Sequence, residues 1–174
     1  MELQERTGIV TIQGNPLTLL GPDVGVGDDA PAFTVVDSAF EPVSLADFAG
    51  KTVLVSAVPS LDTPVCSIQT TRFNREAESL PESVGVLTIS LDLPFAQARF
   101  CEAEGVSRVT VLSDHVSRDF GTKYGVLIKE NALLARSLFV IATNGKIVYR
   151  QIVSELTDEP DYDAALAAVR EAAG

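Results

Sequence analysis

Residues 52–58 (TVLVSAV) make an almost unbroken apolar, β-branched run that stops at Pro59, and the mixed polar and apolar stretch 65–80 follows within a few residues. A run of that kind is expected of a central strand buried on both faces, and the stretch behind it has the pattern of an amphipathic helix. The same alternation continues. Residues 84–91 (VGVLTISL) read as a second buried strand, 94–104 as a helix, 109–112 as a short strand and 117–124 as a helix ending before Gly125. Residues 138–141 and 147–149, joined by the turn 143–146 (TNGK), read as a hairpin. The last helix spans residues 162–173, with Asp158, Glu159, Asp161 and Asp163 near its positive end. At the other terminus, 8–13 and 16–20 form two short strands around Gly14 and Asn15, a pair suited to closing a hairpin. Strands alternating with helices and closed by an antiparallel hairpin predict an α/β sandwich around a mixed sheet.

The chain has 174 residues, of which 46% are apolar and 21% charged, so it carries enough apolar side chain for one full core. It contains no repeat, low-complexity tract or linker. Residues 1–174 therefore read as a single domain, with residues 1–20 as an N-terminal β-hairpin extension. Twenty-four acidic residues against thirteen basic ones leave a net charge of −11, which repels a phosphate backbone or an anionic membrane. Residues 1–6 (MELQER) lack the basic and apolar regions of a secretory signal, and no apolar run approaches the roughly eighteen residues of a membrane span. The expectation is a soluble, cytoplasmic protein that binds neither nucleic acid nor membrane. The loop 21–31 (GPDVGVGDDAP) holds Gly25, Val26 and Gly27, yet Pro31 and the strand-like residues 33–36 follow where a dinucleotide fingerprint needs a helix.

Two cysteines and one histidine restrict the chemistry further. Cys66, Cys101 and His115 supply three candidate ligands where structural zinc takes four, and none has the short paired spacing of zinc motifs. A chain with a full core does not depend on one staple, so pairing of the cysteines points to redox chemistry. The segment from Pro59 to Cys66 (PSLDTPVC) joins the buried strand to the helix after it, where open α/β sheets present ligand sites. Thr63 suits the helix N-cap and Pro64 the first helical position. Cys66 is then third in the first turn, where unpaired N–H groups and the helix dipole favour an anion, and the thiolate is the nucleophilic form of cysteine. A free cysteine more often packs as a small apolar residue, but the exposed first turn of a strand-to-helix crossover is poorly placed for core. Positions 63 and 69 are Thr and Gln, so no C-x-x-C dithiol is present.

Pro59, Thr63 and Cys66 fill the pattern Pro-x-x-x-Thr-x-x-Cys, which resembles the active-site signature of peroxiredoxins. The longer block VPSLDTPVCSIQTTRFN closely resembles the thiol peroxidase subfamily. LDLPFAQARFC (91–101), FGTKYGVLIKE (120–130), LLARSLFVI (133–141) and the N-terminal hairpin are similar to the same subfamily, so the resemblance covers nearly the whole chain. It implies a thioredoxin-like fold, an α/β arrangement with a central mixed β-sheet flanked by helices.

The resemblance also implies the roles. Cys66 is the peroxidatic cysteine, which attacks the O–O bond of a hydroperoxide and becomes a sulfenic acid. Thr63 orients the peroxide, Pro59 shields the pocket from water, and Arg136 holds the thiolate and the polarised peroxide. Arg136 also stands out on its own: it interrupts the apolar run 132–142 (ALLARSLFVIA), where a permanent charge needs an anion, solvent or a structural carboxylate. Cys101 lies on a mostly apolar helix face, and by its residues alone it reads as a packing cysteine. The resemblance makes it the resolving cysteine of atypical two-cysteine peroxiredoxins, condensing with Cys66 into an intrachain disulfide that thioredoxin reduces. Hydrogen peroxide and alkyl hydroperoxides are the implied substrates, no cofactor or metal is needed, and a homodimer is implied.

Ser67 stands where related sequences often carry an acidic residue, and SDHVSRDF (113–120) departs from the usual subfamily wording. Ser113, Asp114 and His115 do not make a hydrolase triad, which is assembled in space, and no G-x-S-x-G elbow is present. Two other classes fit the same residues: a peroxide-sensing redox relay that passes its oxidation to a partner, and a passive interaction module on the same scaffold.

Overall fold

The computed structural model describes residues 2–174. Gln13 and Gly14 both take positive φ, 48° and 80°, the combination whose twist matches a two-residue hairpin turn. They join β1 (Glu5–Ile12) to β2 (Asn15–Leu20). The turn is thus one residue earlier than the Gly14-Asn15 pair expected from the sequence, because Asn15 already pairs with Ile12 and its Nδ2 donates to the Ile12 carbonyl at 3.2 Å. After the loop come β3 (Thr34–Val36), β4 (Pro42–Ser44) and a short 3-10 turn at Leu45–Phe48. The alternating units follow: β5 (Thr52–Ala57), α1 (Pro64–Ala77), β6 (Val84–Ser90), α2 (Pro94–Glu104) and β7 (Thr110–Ser113). The chain continues through α3 (Asp119–Lys123), β8 (Leu127–Ile128), β9 (Ser137–Ile141), β10 (Ile147–Ile152) and α4 (Tyr162–Ala173).

Seven strands form one sheet in the order β10-β9-β5-β6-β7-β3-β4. Its centre, β5-β6-β7, is parallel and its flanks are antiparallel, so the sheet is mixed as expected. Alternation along β5 builds a core on each face. Val53, Val55 and Ala57 pack with Phe120, Tyr124, Phe139 and the hairpin residues Leu17 and Leu19. Leu54 packs on the other face with Phe73 of α1 and Leu166 and Val169 of α4. The helix expected over 117–124 is only five residues long. Arg118 sits at φ 54°, and the Asp114 carboxylate accepts from the N–H groups of Phe120 and Gly121 at 3.0 and 2.8 Å, fixing the helix start at Asp119.

The hairpin is joined to the body at two places. β2 pairs with β8, and at that join Gly125 lies so close to Pro22 that a Cβ there would fall 2.0 Å from the Pro22 carbonyl oxygen. Arg6 spans the join, donating to the carbonyls of Gly21 and Gly125 at 3.1 and 2.6 Å. At the tip, Thr11 N–H donates to Ser154 O and Leu156 N–H donates to Thr11 O, each at 2.8 Å. Among the described residues no helix is long and apolar enough to cross a membrane.

Candidate active site

The chain leaves the carboxyl end of β5 through Val58 and Pro59, both buried, and turns into α1, the kind of crevice where open α/β sheets hold their ligands. Thr63 takes the N-cap position in extended conformation and Pro64 the first helical position. The Thr63 hydroxyl does not cap the helix. It donates back to the Ser60 carbonyl at 2.9 Å, the same oxygen that accepts Thr63 N–H at 3.1 Å, so the segment before the helix is a tight, self-bonded turn.

Cys66 is 0% exposed, packed among Val58, Leu61, Phe100 and Val111. The sequence expectation of an exposed first turn is therefore corrected: Phe100 of α2 and Val111 of β7 pack against the cluster that encloses the sulfur. Arg136, immediately before β9, reaches the same point from the opposite side and is 2% exposed. Its Nε and Nη2 donate to the Leu156 carbonyl at 3.1 and 2.9 Å, and its Nη1 donates to Gln69 Oε1 at 2.9 Å and to Cys66 Sγ at 3.5 Å. Gln69, one helical turn beyond Cys66 and also fully buried, is itself held by its Nε2, which donates to Ser56 Oγ of β5 at 2.7 Å. Among the described residues no carboxylate pairs with this guanidinium. A buried cation is costly without compensation, and the sulfur is the one partner here able to carry negative charge.

A pocket of about 200 Å³ opens beside this group, bounded by Pro59, Thr63, Val65, Leu133, Arg136 and Leu156. Its wall is almost wholly apolar, although Thr63, Arg136 and Thr157 are among its lining residues. Four of the five residues singled out in the sequence, Pro59, Thr63, Cys66 and Arg136, thus meet in one place. Cys101 does not join them. It is partly buried in the separate cluster that contains Phe73 and Val106, and burial pushes its thiol above the ordinary cysteine range. An open trough of about 360 Å³ separates α1's start from α2, with Thr63, Pro64 and Ser67 on one side and Ala96, Arg99 and Phe100 on the other. Both cysteines are free thiols.

Residues 25–166 match the Redoxin family. The thiol peroxidase of Bacillus subtilis (strain 168) is 52% identical over 161 residues, covering 92% of this chain and 96% of that protein. That of Staphylococcus aureus (strain Mu50) is 53% identical over 161 residues, covering 92% and 97%. The chain belongs to the thiol peroxidases. A peroxiredoxin-like protein from Aquifex aeolicus superposes with a TM-score of 0.89 at 43% identity over 98% of this chain and 99% of that one. A thiol peroxidase from Chromobacterium violaceum has the same fold, with a TM-score of 0.82 at 23% identity over 93% and 95% of the two chains.

Membership in the thiol peroxidases makes the chain a peroxiredoxin enzyme with a thioredoxin-like fold, acting on a peroxide with a thiol as reductant. Two of this thiol peroxidase's site groups were missed in the sequence. Gln69 carries no motif of its own in the sequence, although its place one turn after Cys66 puts it on the same helix face. The Leu156 carbonyl, which takes two of the guanidinium's hydrogen bonds, carries no sequence signal, since any residue supplies a backbone oxygen. His115 is not part of the site. Its Nδ1 lies 2.9 Å from Ser113 Oγ, while the Asp114 carboxylate is engaged by the start of α3, so Ser113, Asp114 and His115 form no relay.

Proposed function

We propose that the chain reduces hydrogen peroxide and alkyl hydroperoxides in a two-cysteine cycle recycled by thioredoxin. Cys66 thiolate attacks the terminal peroxide oxygen, the O–O bond breaks, and the alcohol or water leaves after gaining a proton, with Cys66 left as sulfenic acid. Cys101 thiol then condenses with the sulfenic acid, releasing water and forming the Cys66–Cys101 disulfide. A thioredoxin dithiol reduces that disulfide through a mixed disulfide and leaves both cysteines as thiols.

The observation that carries this reading is the buried Arg136 guanidinium, whose other partners are neutral oxygens and whose remaining contact is Cys66 Sγ at 3.5 Å. It stabilises charge both on the sulfur and on the oxygens of a polarised peroxide. In this reading Thr63 orients the peroxide and Pro59 keeps water from the sulfur, which their place in the lining of the pocket beside Arg136 supports. The apolar pocket favours a substrate with an alkyl tail. Both cysteines are free thiols held within helices, Cys66 in the first turn of α1 and Cys101 in α2, while a disulfide needs Cα atoms about 4.4–6.8 Å apart, so in this reading the first turn of α1 and part of α2 unwind in each cycle. A cytoplasmic homodimer belongs to the same reading; the exposed neighbours Phe40, Phe95 and Leu93 give it an apolar surface.

Peroxide consumption coupled to thioredoxin, thioredoxin reductase and NADPH tests the cycle. The native chain turns over with hydrogen peroxide and cumene hydroperoxide, Cys66→Ser is inactive, and Cys101→Ser is oxidised once and stops. A native chain that is oxidised but does not turn over is a redox relay, and a Cys101→Ser variant that cycles at the native rate removes the resolving role.

A further inference from the structure

We propose that Asp92 is a positioning residue that couples the first turn of α1, where Cys66 lies, to the first turn of α2, the helix whose third turn carries Cys101, so that the two helix starts loosen together. The inference rests on the two-cysteine reading and says which contact sets its timing. Asp92 lies between β6 and α2, two residues before Pro94. Its Oδ1 accepts from Ser60 Oγ at 2.7 Å, and its Oδ2 accepts from Leu61 N–H at 2.8 Å and from Ser90 Oγ at 2.7 Å. Ser60 and Leu61 belong to the turn from which α1 springs, and the Ser60 carbonyl is the oxygen that takes both the N–H and the hydroxyl of Thr63.

The same carboxylate is tied to α2. Ser90 Oγ also accepts from Nε2 of Gln97, a buried α2 residue whose Nε2 donates in addition to the Leu112 carbonyl, at 3.0 and 2.8 Å. Asp92's own N–H donates to Ser90 Oγ at 3.3 Å, and its carbonyl accepts from Ser113 Oγ at 2.5 Å. A continuous chain therefore runs Gln97, Ser90, Asp92, Ser60, Thr63, from inside α2 to the cap of α1 along one end of the trough between them. Loosening the first turn of α2 withdraws Gln97 from Ser90, weakens the hold of Ser90 on Asp92, and frees the Ser60–Leu61 turn. Loosening α1 first sends the same change the other way. While the chain is intact it keeps Thr63 and Cys66 in the arrangement that meets peroxide and holds Cys101 away.

The test is Asp92→Asn, read on two separate steps. Oxidation of Cys66, followed in a Cys101→Ser background, is expected to slow about tenfold, the scale of one lost hydrogen bond to a charged acceptor. Formation of the disulfide from sulfenic acid in the two-cysteine chain is expected to quicken by a similar factor. Ser60→Ala, which removes one link from the other side, moves both rates in the same directions and by less, and serves where Asp92→Asn does not fold. Rate changes of one sign in both steps, as a generally loosened fold would give, or no change in either, overturn the proposal. Amide hydrogen exchange of the reduced chain gives an independent reading: exchange rises in Asp92→Asn at Ser67 of α1 and at Ala96 and Gln97 of α2 together, and a rise confined to one helix refutes the coupling. Should the native chain form no Cys66–Cys101 disulfide, the two-cysteine function fails by itself, and the exchange pattern still decides whether Asp92 joins the helices.

Discussion

Replacing Arg136 by Met keeps a long apolar side chain in the space but removes the charge and all four hydrogen bonds that the guanidinium makes to Leu156 O, Gln69 Oε1 and Cys66 Sγ. At the 3.5 Å separation of Nη1 and Sγ, Coulomb's law with an effective dielectric constant of about 20 gives roughly 5 kcal/mol of attraction to a full negative charge. Measured from the neutral thiol, which gains none of this attraction, the guanidinium stabilises the negative charge that sulfur and the departing oxygen share in the transition state, so most of that attraction counts toward the rate and the Met variant has none. A loss of about 3–4 kcal/mol corresponds to a fall of about 10²–10³ in rate. Stopped-flow oxidation of Cys66 by hydrogen peroxide, in a Cys101→Ser background so that a single event is observed, measures it directly. Arg136→Lys restores a point charge but not the planar fork that holds Leu156 O and Gln69 Oε1 together, so it oxidises at a rate between those of Met and Arg. An Arg136→Met variant that oxidises as fast as its parent would show that the guanidinium does not serve the sulfur.

Two further outcomes follow from the same geometry. Gln69→Glu puts a carboxylate at 2.9 Å from Arg136 Nη1, where it takes up the charge now directed at the sulfur; Cys66 oxidation slows by about tenfold in the same stopped-flow assay, and an unchanged rate rejects the argument. Burial pushes the Asp114 carboxyl up to about 6 from its ordinary 3.8, against the opposing effect of the two N–H groups it accepts. A folded-state value above the unfolded one means that the group's stabilisation is present below pH 4 and lost as pH rises through 6, amounting to about 3 kcal/mol. Urea unfolding across that window therefore shows native stability falling relative to Asp114→Asn, whose side chain does not titrate, and parallel curves for the two would contradict it.

The elements that the sequence revealed are those with enough residues to show a period or a terminator. β5 and β6 were legible as apolar runs, α2 and α4 matched their expected bounds, and α1 was announced by Thr63 and Pro64. β4 and β8 were not, because three residues including a proline and two buried residues carry no period. The partner of β8 is also the N-terminal hairpin, more than a hundred residues away, and such pairings leave no local trace. The site divides in the same manner. Cys66 and Thr63 announced themselves through the local chemistry of a helix start, and Arg136 through a charge set inside an apolar run. The burial of Cys66 was invisible, since it depends on Phe100 arriving from another helix.

The Redoxin match begins at residue 25, and the hairpin ahead of it has the outward look of an appendage. Thr11 is nonetheless bonded on both sides of Glu155, to the Ser154 carbonyl and to the Leu156 amide, and Glu155 itself accepts from Thr11 Oγ1 and Gly14 N–H, each at 3.0 Å. The Leu156 oxygen on the far side of that clasp is what aims the guanidinium. Trimming the first twenty residues would thus remove no reacting atom from the chain, yet would take away both the splint behind the arginine and the core residues Val10, Leu17 and Leu19.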